Sequence, residues 1–258
     1  MSETTSVRRW LPPGLDLNPA ARMRLFCLPG EGGSAAIYRG WRDARHTFLD
    51  ILPVELPGRG HRSRQPPVAD LSALVTQLLD DLAPDLSDLP YALFGHGLGA
   101  ALAFELARAA SVRRLPPPRQ LFLASARPPS IREDHPLHAL SDADFIQALA
   151  KRDQIPREVL DHAELMPLVL PGLRADFRMA ETWAPPVLPP LTTPAELLHG
   201  RDDVMVVRPT PEHWAPWFVA PPTLHVHEGG HFFLRDRIAL LNDLEGVLRP
   251  ILLDQARR

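Results

Sequence analysis

A sharp turn between an apolar run and an alanine-rich stretch carries the clearest chemical pattern in this sequence. Tyr91-Ala-Leu-Phe-Gly-His-Gly-Leu-Gly99 has the strand, turn and helix start of a G-x-S-x-G nucleophile elbow, in which a serine attacks an acyl carbon. Gly97 stands where that pattern has its serine. Because glycine has no hydroxyl, it cannot form an acyl-enzyme. The pattern therefore predicts either a disabled hydrolase or chemistry that needs no covalent intermediate.

Two more candidate residues follow the last two predicted strands, in the order nucleophile, acid, histidine. Gly200-Arg-Asp-Asp203 follows one strand, and Glu228-Gly-Gly-His231 follows the next. We predict that His231 is a general base and that Asp203 orients its ring and stabilises the imidazolium. Asp202 competes for the role of the acid; a G-x-x-D pattern from Gly200 favours Asp203, but spacing alone does not decide.

The histidines also raise the question of a metal site. His225 and His227 are two residues apart on a predicted strand and would face the same side, with His231 beyond them. No carboxylate completes a convincing set of three ligands, so neither a metal nor another cofactor is expected. Cys27 is the single cysteine, which excludes an internal disulfide and a thiol cluster for zinc. Its apolar surroundings predict a small core residue rather than a nucleophile.

Short apolar runs alternate with helical patterns, which predicts an α/β fold with a mainly parallel sheet flanked by helices. The stretch from about 134 to 182 has helical periodicity and is too long for an ordinary connection, so we interpret it as a helical lid. Residues 1–258 are predicted to form one domain. The predicted strands are Arg24–Leu28, Leu49–Leu56, Tyr91–Phe94, Gln120–Ala124, Ala195–His199 and Thr223–His227, and the predicted helices are Asp70–Ala83, Leu98–Ala110, Phe145–Lys151 and Arg237–Leu253.

Composition narrows the class of protein. The chain has 258 residues, 45% of them hydrophobic, which is enough for one substantial core. A formal charge of -3 gives no general basic surface for nucleic acid. The N-terminal residues lack the apolar core of a signal peptide, and no window reaches the roughly 18 apolar residues needed to span a bilayer. We therefore expect a cytoplasmic protein with no membrane or nucleic-acid partner; its oligomeric state stays open.

Several motifs together resemble one family. The chain is similar over nearly its whole length to the type II, stand-alone thioesterases of polyketide synthases and nonribosomal peptide synthetases, which have the α/β-hydrolase fold. The motifs that carry this resemblance are Leu28-Pro-Gly-Glu-Gly-Gly33, Glu55-Leu-Pro-Gly-Arg-Gly60, the elbow and its helix through Arg108, Leu173-Arg-Ala-Asp-Phe177, Gly200 to Asp203 and Gly229-Gly-His-Phe-Phe-Leu234.

The resemblance implies an activity and a set of roles. Such enzymes clear aberrant acyl groups from the phosphopantetheine arms of carrier proteins through a Ser-His-Asp triad. Carried over by position, Gly97 replaces the serine, while His231 and Asp203 match the other two members. Leu98 would supply one amide of the oxyanion hole. The second would come from the loop after the first strand, near Gly30 or Glu31.

That loop contains a second departure from the family pattern. The family usually reads P-x-A-G-G, whereas this chain reads Pro29-Gly-Glu-Gly-Gly33. If Glu31 points into the pocket, its carboxylate would repel the negative charge that an oxyanion hole stabilises. A neutralised or hydrogen-bonded Glu31 could instead exchange a proton opposite His231. In the alternative, Glu31 points to solvent or caps a following helix.

Three functions remain open at this point. The leading hypothesis is non-covalent acid/base chemistry by His231, Asp203 and Glu31 on a polyketide-like substrate: cyclisation, dehydration, isomerisation or hydrolysis by activated water. The second is an editing thioesterase inactivated by the glycine at position 97. The third is a non-catalytic binder of a carrier protein or product. Four residues are candidates for contacting the substrate, although packing is the usual role of their types: His96, Phe177, Met179 and Trp183.

Overall fold

A six-stranded parallel sheet forms the centre of this computed structural model, which describes residues 9–43, 48–152, 163–206, 211–235 and 237–255. The spatial order is β2-β1-β3-β4-β5-β6, and every neighbouring pair is parallel. The strands are β1 (Met23–Leu28), β2 (Leu49–Pro53), β3 (Tyr91–His96), β4 (Leu121–Ala124), β5 (Ala195–Gly200) and β6 (Thr223–His227). The predicted α/β architecture is confirmed.

Helices cover both faces of the sheet. In chain order they are α1 (Arg39–Asp43), α2 (Leu71–Leu82), α3 (Leu98–Val112), α4 (Asp142–Lys151), α5 (Met166–Thr182), α6 (Pro211–Trp214) and α7 (Arg237–Gln255). Short 3-10 helices lie at Ala35–Tyr38, Gly60–Arg62, Asp85–Ser87, Leu137–Ala139, Ala163–Leu165, Ala215–Trp217 and Phe233–Arg235. In the parts of the chain given above, no helix combines the length and apolar character needed to cross a bilayer.

The strands are buried on both faces because helices pack against each side. In β1, Leu25 and Cys27 belong to one hydrophobic cluster, whereas Phe26 and Leu28 belong to another on the opposite face. The buried position of Cys27 agrees with the expected core role. Because the strands are parallel, the carboxyl ends of β1, β3, β4 and β5, and the loops that follow them, lie at one edge of the sheet.

The connection between β4 and β5 contains α4 and α5, in the region where the sequence predicts a lid. Ser141 caps α4 as expected: the Asp144 amide donates to its hydroxyl at 3.2 Å. Phe145 of α4 packs edge-on against Phe177 of α5, with ring centroids 5.4 Å apart. The part of the predicted lid from 153 to 162 lies outside the described residues.

Candidate active site

The turn between β3 and α3 has the backbone of a nucleophile elbow. Gly97 has φ 52° and ψ -117°, a left-handed conformation that is strained for any residue with a side chain. Its amide donates to the Ala124 carbonyl at 3.0 Å, and its own carbonyl accepts the Ala100 amide at 3.0 Å. The turn thus exposes position 97 at the N-terminus of α3, but this position offers no hydroxyl.

Glu31 points into the site and occupies the space beside Gly97. A Cβ built on Gly97 would overlap Glu31 Oε2. The Leu98 amide donates to the same oxygen at 3.2 Å. This is one of the amides that the resemblance assigned to an oxyanion hole, and in this structure it binds the chain's own carboxylate. The alternative in which Glu31 points to solvent is wrong, whereas the contact with Leu98, the first residue of α3, is of the helix-capping kind that the same alternative named.

The surroundings of Glu31 shift the protonation equilibrium of its carboxyl towards the neutral form. Burial raises the pKa of the Glu31 carboxyl above its ordinary value, and the negative charge of Asp176 adds to this effect. The amides of Glu31 and Leu98 and the charge of His231 oppose the shift without cancelling it. A carboxyl with a raised pKa can donate a proton at a pH where an exposed glutamate is already ionised.

His231 and Asp203 lie together on the loops after β6 and β5. His231 Nδ1 is 3.0 Å from Asp203 Oδ2, and both side chains are buried. Although burial alone would raise the pKa of Asp203, the hydrogen bond and charge of His231 and hydrogen bonds from Ser125 and the Met205 amide hold it well below its ordinary value. An ionised Asp203 fixes the proton on Nδ1 and leaves Nε2 as the basic atom. Asp202 is exposed and does not take this position.

Ser125 is a site residue that sequence reasoning missed. Its hydroxyl donates to Asp203 Oδ2 at 2.8 Å, it is fully buried, and it has φ 44°, which is unusual for a residue other than glycine. Strained backbone of this kind persists only where the surroundings hold it. Because Ser125 bonds the carboxylate behind His231, we infer that it positions Asp203 rather than serving as a nucleophile.

His96 packs against His231, and Gly30 lies close to His96. The His96 ring packs against that of His231 with centroids 4.6 Å apart, and its Nε2 lies 2.9 Å from the His231 carbonyl oxygen. A Cβ on Gly30 would come within 2.7 Å of His96 Nδ1, so the loop passes too close for a side chain there. The packing role that is usual for a histidine here agrees with this geometry: the His96 ring is buried and lies outside the lining of the catalytic cavity, and its contact with substrate stays an untested prediction.

A buried ion pair fixes the loop that carries Glu31. Asp176, on α5, is fully buried and accepts two hydrogen bonds of 2.6 Å from the Arg59 guanidinium. The same carboxylate accepts the Gly32 amide at 2.8 Å, while Arg59 also donates to the Gly33 carbonyl at 3.1 Å. These bonds tie the 29–33 loop to α5. Nothing in the local sequence pattern pairs Arg59 with Asp176, and this clamp was not predicted.

The candidate groups share one cavity of about 300 Å³. Glu31, Gly97 and His231 lie on its wall, together with Phe177 and Trp183. Met179 lies outside this lining and is part of the wall of a different cavity, so it does not share a wall with Phe177, and its role in lining an acyl channel stays a prediction. Charged side chains of both signs also line the cavity: Arg127, Arg132, Glu133, Asp134, Arg152 and Glu181.

The three histidines considered for a metal site contact different partners. His225 lies 2.7 Å from Glu196, His227 stacks on Phe233, and His231 pairs with Asp203. Among the described residues, no group of three histidine, cysteine or acidic side chains is arranged to hold a metal ion.

Replacing Glu31 by glutamine is expected to stabilise the fold at neutral pH. Because the folded-state pKa is raised, wild-type stability falls as pH rises from the ordinary glutamate value through the folded value, whereas glutamine does not titrate. At neutral pH the free energy of unfolding of the variant should exceed that of wild type by about 1.4 kcal/mol for each unit by which folding raises the Glu31 pKa. In acid, where Glu31 is protonated in both states, this difference should vanish. Denaturant unfolding at a series of pH values measures it, with Glu228→Gln on an exposed carboxylate as control. Equal stability of Glu31→Gln and wild type at every pH contradicts the expectation.

Comparisons with known proteins agree with this architecture. A family model described as "Thioesterase domain" matches residues 23–249. The gramicidin S biosynthesis protein GrsT of Aneurinibacillus migulanus is 31% identical over 237 residues, covering 91% of each chain. The solved structure of ClbQ from the colibactin NRPS/PKS pathway has a TM-score of 0.83 at 28% identity and covers 90% of this chain and 99% of its own.

A second solved structure gives the same result. YbtT, a type II thioesterase from the yersiniabactin NRPS/PKS pathway, has a TM-score of 0.79 at 29% identity, covering 92% of this chain and 97% of its own. The fold is that of the α/β-hydrolases, as the resemblance implied. The chain therefore belongs to the thioesterase domain family, and its relatives include type II thioesterases of polyketide and nonribosomal peptide pathways.

Proposed function

We propose that this protein is a thioesterase-like enzyme of an assembly-line pathway that transfers protons on an acyl substrate instead of forming an acyl-serine. The observation that carries the proposal is the position of Glu31, whose carboxyl accepts the Leu98 amide and takes the space beside Gly97. A hole filled by a carboxyl group is unavailable to a substrate oxyanion. The His231–Asp203 pair nevertheless remains assembled, and a non-catalytic binder has no need of it.

The arrangement suits removal of a proton from the carbon next to a carbonyl. His231 Nε2 takes that proton, while protonated Glu31 gives its own proton to the carbonyl oxygen, so that a neutral enol forms. When the enol carbon attacks a second carbonyl, its hydroxyl proton returns to Glu31 and the new alkoxide takes the proton held by His231. A carbon–carbon bond forms, and both side chains regain their starting states.

The cavity and the family support a substrate class. A volume of about 300 Å³ with charged groups in its lining fits a short oxygenated acyl group of the polyketide type. His231 also borders an open depression of about 830 Å³ whose lining includes Lys151 and Arg152. These two exposed cations are suited to the phosphate of a phosphopantetheine arm, so delivery by a carrier protein is part of the proposal.

Deuterium exchange tests this function directly. We expect the wild-type protein to accelerate exchange at the α-carbon of a β-ketoacyl pantetheine thioester in D₂O, followed by NMR, because enolisation is the first step. Folded protein that hydrolyses the thioester without accelerating exchange would contradict the proposal and favour a residual editing thioesterase. Binding without either reaction would favour the non-catalytic function.

A further inference from the structure

A second cavity adjoins the catalytic one along helix α3. Ala101 lines the catalytic cavity, whereas Glu105 and Ala109, one and two turns further along the helix, line a neighbouring cavity of about 610 Å³. Both spaces therefore border α3, the catalytic cavity at its N-terminal part and the second cavity further along it.

One side chain belongs to the walls of both spaces. Among the described residues, Trp183 alone lines both cavities. Its indole Nε1 donates to Glu105 Oε1 at 3.0 Å, and its ring packs edge-on against Phe104 with centroids 5.8 Å apart. Glu105 Oε1 also accepts a hydrogen bond of 2.9 Å from Arg108, which fixes the acceptor. These contacts fix the indole in place at the wall between the two cavities, with only 9% of the surface of Trp183 exposed.

The second cavity is partly open to solvent and has both apolar and polar walls. Val75 and the exposed side chains of Val112 and Leu188 are apolar, while Thr182 and Arg108 supply polar groups. An alkyl chain gains about 0.8 kcal/mol for each methylene that it buries, which corresponds to about a fourfold gain in affinity. This gain is available only to a chain that can pass the position of Trp183.

We propose that Trp183 determines the acyl chain length that the catalytic cavity accepts, by closing it against the second cavity. The proposal rests on the proposed function only in placing the acyl carbonyl beside Glu31 and His231. Short chains end at the indole. In the wild-type site the distal part of a longer chain gains no buried contact, whereas removal of the indole lets it enter the second cavity.

Binding of unreactive analogues tests the partition without any turnover. The probes are pantetheine derivatives in which an amide replaces the thioester, with acyl groups from butanoyl to dodecanoyl, measured by titration calorimetry. In wild type we expect affinity to stop rising once the chain reaches Trp183. In Trp183→Ala the gain of about fourfold per methylene should continue through the longer chains.

Three matched variants define the outcome. Trp183→Phe keeps a ring but loses the indole N–H, and it should keep the wild-type limit; Trp183→Leu should give an intermediate limit and serves if the alanine variant is unstable. Trp217→Ala removes another tryptophan beside Phe104, at 5.9 Å, that lines neither cavity, and should change nothing. The same length dependence in wild type and in both Trp183→Ala and Trp183→Leu overturns the proposal, as does a failure of all probes to bind. Because no reaction is measured, loss of α-proton exchange leaves this result unaffected.

Discussion

A chain carrying both Gly97→Ser and Glu31→Ala is expected to release acyl groups from pantetheine thioesters at least about 10³-fold faster than the parent. A triad serine contributes about 10⁶-fold to turnover, so even a poorly aligned hydroxyl should give a large gain. His231 and Asp203 are already paired, and position 97 already has the elbow conformation. Removing the Glu31 carboxyl frees the Leu98 amide for the substrate oxyanion.

The two substitutions should be strongly coupled. Gly97→Ser alone places its Cβ against Glu31 Oε2 and leaves the hole occupied, so we expect little gain. Glu31→Ala alone empties the hole but supplies no nucleophile. Gly97→Ala with Glu31→Ala is the matched control, because it has the same volume at the turn without a hydroxyl. Full activity from Gly97→Ser alone would show that Glu31 does not block acyl transfer. A double variant that is folded but inactive would show that some other feature of the site blocks acyl transfer.

Replacing His231 by alanine is expected to lower the rate of α-proton exchange about 10² to 10⁴-fold, the usual contribution of a general base. Exchange of a β-ketoacyl pantetheine thioester in D₂O is again the measurement. His225→Ala is the control, because His225 is an exposed histidine that pairs with Glu196 away from the cavity. Added imidazole should restore part of the rate in His231→Ala but not in the control. Unchanged exchange in folded His231→Ala would remove this residue from the reaction.

Sequence patterns predicted the order and number of strands well because buried parallel strands have continuous apolar runs. The errors lie at strand ends. β2 was expected to reach Leu56 but ends at Pro53, after which the Glu55 amide bonds the Trp10 carbonyl outside the sheet. β3 was expected to end at Phe94 but continues to His96. Gly95 suggested a turn there, whereas it is a strand residue that α3 approaches too closely for a side chain.

The site was predictable in its order along the chain but not in its side-chain directions. A loop residue such as Glu31 has no periodicity that fixes where it points. Ser125 and Asp203 are 78 residues apart, and Arg59 and Asp176 are 117 apart, so no local pattern connects either pair. Phe177 and Met179 line two different cavities, because residues two apart on a helix face different directions.

The bonds made by Arg59 and Asp176 have a consequence for how this chemistry could arise. They hold the 29–33 loop through the Gly32 amide and the Gly33 carbonyl, and none of them involves the side chain at position 31. The backbone of the loop is therefore secured independently of the residue that it presents to the cavity. The residue at position 31 can therefore change without loss of the bonds that hold the loop. Under the proposed function, a substitution at position 31 together with one at position 97 changes the reaction while the loop backbone stays the same.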